Sequence, residues 1–283
     1  PDLTDNTLVP GSDPVISGST INANYIKGPV TGAIAELLDT SGNIVAGPVT
    51  TVDGLATFEN VTYTGAVYTR FSGGSYTDEA SGTTVNLSSS FSMRSGMVNN
   101  ASTGNLQLTA TPLTEIGFKR AEIAAGGNAS PTNVNTFISQ VADEFGLDDI
   151  NLTTVAPTPM ASITGDSNAD RYAAVLAAIT QQEVTAGNVP SDTNLDAYIS
   201  NTASNNLDQT AFTTAVIDLQ TNSNTSSFVN ASVIGSITAS VSDSVTGIYS
   251  VGGNLSGFTG NLVIRNNVDD DLSLTGNGAF TFG

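Results

Sequence analysis

Apolar and polar positions follow different periods in different stretches of the chain. Residues 14–110 read as β, the stretch from "VISGSTINANY" to "AVYTRFSGG" being a train of short strands broken by turn signals. Turn residues bound these runs, at Asp39-Thr40-Ser41-Gly42-Asn43, Val52-Asp53-Gly54 and Ser72-Gly73-Gly74. Turn signals about every 8–12 residues predict a β-sandwich. Over 111–226 the period lengthens. Leu113, Ile116, Phe118, Ala121 and Ile123 open a helical stretch. Val134, Phe137, Ile138, Val141, Ala142 and Phe145 hold i, i+3, i+4 spacing behind an N-cap at Ser130, with Pro131 at the first helical position and Gly146 as the stop. Tyr172, Val175, Leu176 and Ile179 repeat the stripe in "NADRYAAVLAAITQQEV", and weaker helices are expected near 193–204 and 208–220. Short links between these segments predict a small all-α bundle.

Two stretches remain. Residues 227–242 fit both periods. Val229, Ala231, Val233, Ile237, Ala239 and Val241 alternate as in a strand, whereas Phe228, Ala231, Ile234, Ile237 and Val241 form a helical stripe. From Thr246 onward the pattern is again β, with Leu262/Ile264, Leu272/Leu274 and Phe280/Phe282 on alternate positions. The turns Asn266-Asn267-Val268-Asp269 and Thr275-Gly276-Asn277-Gly278 read as hairpin links, because Asn and Gly tolerate positive φ. Residues 1–13 are polar, Pro-bounded and aperiodic, and read as an extended arm or linker.

Composition narrows the chemistry. The 283 residues leave room for two or three domains. Their 26 acidic and 7 basic side chains give a net charge of -19, which argues against a nucleic-acid binder and against docking on anionic membranes. Cys and His are both absent, so thiol nucleophiles, zinc–thiolate sites and the commonest general base are excluded. No apolar run is long enough to span a membrane. The chain starts at Pro1 without a basic-then-apolar leader, so a signal peptide is expected to have been removed or never to have been part of it. Asn-x-Ser/Thr sequons, Asn60 and Asn86 among them, are no more frequent than this Ser-, Thr- and Asn-rich composition gives by chance.

The stretch from Gly28 to Leu87 carries a resemblance. The "GPVTGA" opening (Gly28 to Ala33), the "DTSGN" hairpin, the "DGLATF" strand and "SGGSYTDEASGTTV" (Ser72 to Val85) are similar to the carboxypeptidase-regulatory-like, or prealbumin and Cna-B-like, sandwich domains of bacterial surface proteins. The "TPLTE" segment at Thr111 to Glu115 resembles the helix starts that come after such domains, and the C-terminal region resembles the opening of an Ig-like repeat whose closing strands are missing. That context favours the helix for 227–242. The resemblance implies a cell-surface location and says little about activity. The expected fold is multi-domain α+β: an arm (1–13), a β-sandwich (14–110), a small all-α bundle (111–242) and an incomplete Ig-like antiparallel β-unit (243–283).

Candidate chemical groups each have a plainer reading. Asp166, Asn168 and Asp170 have the spacing of a calcium loop, but Arg171 and Ala177 stand where its Gly and bidentate acid belong, so an N-cap cluster is preferred. Asp269-Asp270-Asp271 reads as a solvated acidic turn before it reads as a chelator. Asp143/Glu144 and Asp148/Asp149 lack the facing geometry of glycosidase acids and any Trp platform. Cna-B-like domains crosslink a strand Lys to an Asn. Lys27 sits just before the Gly28-Pro29 turn, away from that position, and an exposed lysine is expected there, with a loss of one ammonia from the intact mass as the contrary sign. No catalytic residue, cofactor or metal is assigned, calcium being the one cation left open.

The apolar row Tyr249, Val251, Leu262, Ile264, Leu272, Leu274, Phe280 and Phe282 then needs a partner, and an open sheet edge is a template for strand addition. Leu3, Leu8 and Val9 make the N-terminal arm a donor from another copy of the chain. A head-to-tail contact that does not close gives a filament. The expectation is a non-enzymatic, extracellular, pilus-like structural subunit. The alternative is a stalk or binding module of a surface adhesin that engages host or surface glycans or proteins, with calcium or carbohydrate as ligand.

Overall fold

The first strand sits between two partners far apart in sequence. In this computed structural model, which describes residues 18–99, 104–188, 190–202, 208–246, 252–257, 259–265 and 271–281, β1 (Ser19–Tyr25) alternates buried and half-buried positions without a break. The remaining strands of the N-terminal part are β2 (Ile34–Asp39), β3 (Ile44–Thr50), β4 (Leu55–Val61), β5 (Gly65–Ser72), β6 (Ser75–Thr77), β7 (Thr84–Asn86), β8 (Ser92–Asn99) and β9 (Asn105–Ala110). One sheet has the order β4-β1-β9, with β1 antiparallel to β4 and parallel to β9. The other, β3-β2-β5-β8, is antiparallel throughout, and β6 pairs with β7. The two larger sheets share a core in which Tyr25 of β1 and Phe71 of β5 stack with ring centroids 4.8 Å apart. The chain is thus a mixture of α and β, with a two-sheet β-sandwich as its N-terminal part.

Local chemistry sets the turns. Asp39 closes the β2–β3 hairpin by accepting from the Ser41 and Asn43 amides and from the Asn43 side chain at 2.8–2.9 Å, while Gly42 takes a positive φ. Asp53 and Gly54, both at positive φ, make the two-residue link through which Val52 and Leu55 exchange backbone hydrogen bonds. That link carries the chain from one sheet into the other.

The helices are α1 (Pro112–Ala125), α2 (Pro131–Glu144), α3 (Asn168–Thr185), α4 (Asp192–Thr202), α5 (Gln209–Asp218) and α6 (Ala231–Thr246). Helix α1 starts directly after β9: Thr111 and Thr114 cap it reciprocally, and the Thr111 hydroxyl also bonds the Tyr172 hydroxyl at 2.6 Å. Such a cap is worth about 1 kcal/mol. Ser130 caps α2 with Pro131 at its first turn, as its sequence predicts, and Gly146 ends it at positive φ. At Gly117 an added Cβ would lie 2.6–2.8 Å from Ile138, so α1 and α2 meet across a bare backbone. Residues 227–242 resolve to helix over Ala231–Thr246, with Val233, Ile234, Ile237 and Val241 buried; Ala231, a member of both sequence stripes, is exposed.

Two compact units divide the chain, residues 1–241 and 242–283. The junction at 110–111 lies inside the first unit, where sandwich and helical residues belong to one apolar cluster. The second unit contains β10 (Gly252–Leu255), β11 (Leu262–Arg265), β12 (Asp271–Leu274) and β13 (Gly278–Thr281). Here the pairing differs from the sequence expectation. Residues 275–278 do not make a hairpin, because β13 pairs with β10 while β12 pairs with β11. This short link instead takes the chain from one ribbon to the other.

Candidate functional site

The outer face of the four-stranded sheet brings two of the chain's 7 basic residues side by side. Register places Glu36, Arg70 and Arg94 in one row across β2, β5 and β8, and Leu38, Tyr68 and Gly96 in the next. Gly96 is required by this arrangement, since a Cβ there would lie 2.7–2.9 Å from the Tyr68 ring. The ring lies against Phe118 of α1, edge-on at 4.9 Å between centroids. Helix α1 covers β8, and between the α1–α2 elbow and the uncovered part of the sheet lies a groove of about 340 Å3, closed at one end by the Asp39–Gly42 turn.

Most charge in this groove is internally matched. Arg94 makes hydrogen bonds of 2.6–3.2 Å to Glu115 and of 2.5–3.0 Å to Glu122, and its guanidinium lies 4.8 Å from the centre of the Phe118 ring. Burial works against its charge, but the two carboxylates outweigh burial and raise its pKa. Arg70 gives Nε and Nη2 to Glu36 at 3.1 and 2.5 Å. Tyr68 differs: its hydroxyl oxygen is buried and has no hydrogen-bond partner. Burial, with Glu122 adding to it against Arg94, raises the pKa of that hydroxyl. The sequence signal that could have marked this site is the alternation Tyr68-x-Arg70 and Ser92-x-Arg94-x-Gly96 in a chain with only 7 basic residues.

A second polar cluster forms around Lys27, and it corrects the expectation of an exposed side chain. Lys27 is 1% exposed. Its Nζ donates to the Leu176 carbonyl of α3 at 2.8 Å and to the Thr180 hydroxyl. Burial lowers its pKa, opposed by Asp78 and Glu79 beyond β6 and by Glu183 on α3. Burial in turn pushes Glu79 and Glu183 up to about 7 even though Lys27 pulls both down. The amine meets a carbonyl and a hydroxyl rather than an Asn amide, and its place in the fold is to fasten α3 to the sandwich.

The other candidates are distributed elsewhere. Glu144 binds Arg120 at 2.6 and 2.8 Å, and Asp149 binds Arg171 at 2.5–2.6 Å, so these acids pin helices and do not face each other across a cleft. Ser167 caps α3 by accepting from the Asp170 amide, while Asp166 accepts from Ser232 and Ser236 of α6. Among the described residues no group of three or more acids could hold a metal ion. Asp269 and Asp270 lie outside the described residues, as do Leu3, Leu8, Val9, Tyr249, Val251 and Phe282. The structure brings together Leu262 with Leu274 and Ile264 with Leu272 as opposite positions of β11 and β12, and sets Phe280 opposite Gly253. Leu262 and Leu274 are half-buried.

In comparisons with known proteins, no family model, no curated protein and no solved structure matches this chain.

Proposed function

We propose that the chain is a structural subunit of an extracellular fibre, assembled head to tail by β-strand addition at its C-terminal unit. One observation carries this reading: the described strands of residues 242–283 form only two-stranded ribbons, and none of the described side chains there is buried. A lone two-stranded ribbon is marginal in water, and three or more strands with a covered apolar face are the usual minimum. Strands supplied from outside the unit would cover the Leu262, Ile264, Leu272 and Leu274 row and use the open edges. In the finer architecture proposed with it, a prealbumin-like sandwich and its helices form the body, and an Ig-like unit whose described ribbons keep open edges forms the acceptor. Residues 1–13 are the proposed donor from the next copy. The acidic balance and the absence of Cys fit a secreted protein that does without disulfides.

Light scattering and negative-stain imaging of the full chain test this. Long oligomers that disappear on deletion of residues 2–9 are expected. A uniform 28.8 kDa monomer, or normal fibres from the deleted chain, would overturn it. A second reading, a stalk or binding module of a surface adhesin, is supported by the groove beside Tyr68. Ligand binding by a monomer would favour that module.

A further inference from the structure

We propose that the groove between the outer face of the four-stranded sheet and the α1–α2 elbow binds a neutral, hydroxyl-rich ligand the size of a mono- or disaccharide. The inference is independent of how the C-terminal unit is completed. The groove's volume of about 340 Å3 lies at the lower end of small-molecule sites, which run from about 300 to 1,000 Å3. Its floor is apolar, formed by Leu38, Phe118 and Val134, all buried. Ser92 and Asn128 add uncharged polar groups to its walls.

Its electrostatics choose the ligand class. Two guanidinium groups, Arg70 and Arg94, line the groove with two carboxylates, Asp39 and Glu122, while Glu36 and Glu115 pair with the same guanidinium groups from behind the lining, so the site offers an anion no net positive charge. Those carboxylates are already engaged: Glu115 and Glu122 by Arg94, Glu36 by Arg70, and Asp39 by the amides of its own hairpin. A cationic ligand therefore finds no carboxylate without a partner. The groups that remain are a hydroxyl and one guanidinium nitrogen. The Tyr68 hydroxyl is buried without a partner, a state that buried polar groups rarely keep. Arg70 keeps Nη1 outside its contacts with Glu36. A sugar hydroxyl both donates and accepts, so it can accept from Arg70 Nη1 and, with a small turn of the Tyr68 ring that lines the groove, answer the Tyr68 hydroxyl as well.

Saturation-transfer NMR and calorimetry on the full chain, with methyl glucoside, methyl galactoside and N-acetylglucosamine as neutral probes and inorganic sulfate as the anionic one, test the site. The neutral sugars should saturate it with a dissociation constant near or below about 1 mM. Tyr68→Phe keeps the ring and removes the hydroxyl, and should weaken binding about three- to tenfold at an unchanged melting temperature. Asn128→Ala, at an exposed position, provides a second variant with a smaller loss in the same direction. No saturation by any of the three sugars at about 10 mM would overturn the proposal. So would sulfate binding more tightly than the sugars, or affinity that neither substitution changes.

Discussion

The sandwich and the C-terminal ribbons use the same alternation of apolar and polar residues with opposite results. In β1, Ser19, Ile21, Ala23 and Tyr25 are all fully buried, because a second sheet and Phe71 stand across from them. In β11 and β12, Leu262 and Leu274 are in register with each other yet half-buried, and Val263 is 52% exposed. Alternation specifies a face, and only a second layer turns that face into a core. The edges differ as well. The edge strand β3 carries Pro48 and two register irregularities, devices that discourage pairing with another chain. The outward positions of β11 and β12 carry no proline, so those ribbons remain competent templates.

The sharpest way to break the comparison is to damage both regions in the same manner. Phe71→Ala should cost about 4 kcal/mol, since it removes a buried ring and its stacking on Tyr25. Loss of the main melting transition at ordinary temperature, measured by circular dichroism, checks it. An intermediate effect comes from Glu79, whose carboxyl is pushed from 4.5 up to about 7 by burial. A raised folded-state value means that the folded protein holds the proton more tightly. The stability from this group is therefore complete below about pH 4.5 and lost as pH rises through about 7. The wild type should lose about 2 kcal/mol relative to Glu79→Gln between pH 5 and 8, read from urea midpoints, and parallel profiles would refute this. The smallest change is Leu274→Ala, expected to cost less than about 1 kcal/mol in the isolated monomer because its side chain is only half-buried. A cost comparable to Phe71→Ala would show that the C-terminal unit has a core of its own.

Much of the framework was legible because its determinants are local. Ser130-Pro131, Ser167 and the Asp39 and Asp53-Gly54 turns act within a few residues, and each does what its sequence predicts. The stripe at Ile234, Ile237 and Val241 likewise marked a helix. What escaped depends on distant partners. Lys27 reads as a surface residue beside a turn, and only the packing of Leu176 and Thr180, about 150 positions later, buries it. The link at 275–278 has hairpin chemistry, but its outcome depends on whether β12 or β10 takes β13. The groove was not read from the sequence, because it needs β2, β5 and β8 side by side and a second wall from α1 and α2.

The parallel pairing of β1 with β9 also has a consequence in time. Thr20 meets Asn105 and Tyr25 meets Ala110, so β1 is a central strand whose second neighbour is synthesised long after the first. An emerging chain can form the β1–β4 ladder early, but that sheet keeps an unpaired inner edge until residue 110 is free to reach it. Non-local closure of this kind slows folding and prolongs exposure of an aggregation-prone edge. Because α1 is capped by Thr111 immediately after β9, the arrival of one short segment completes the sheet and starts the helical layer together. That segment is where the rate-determining step of folding should lie.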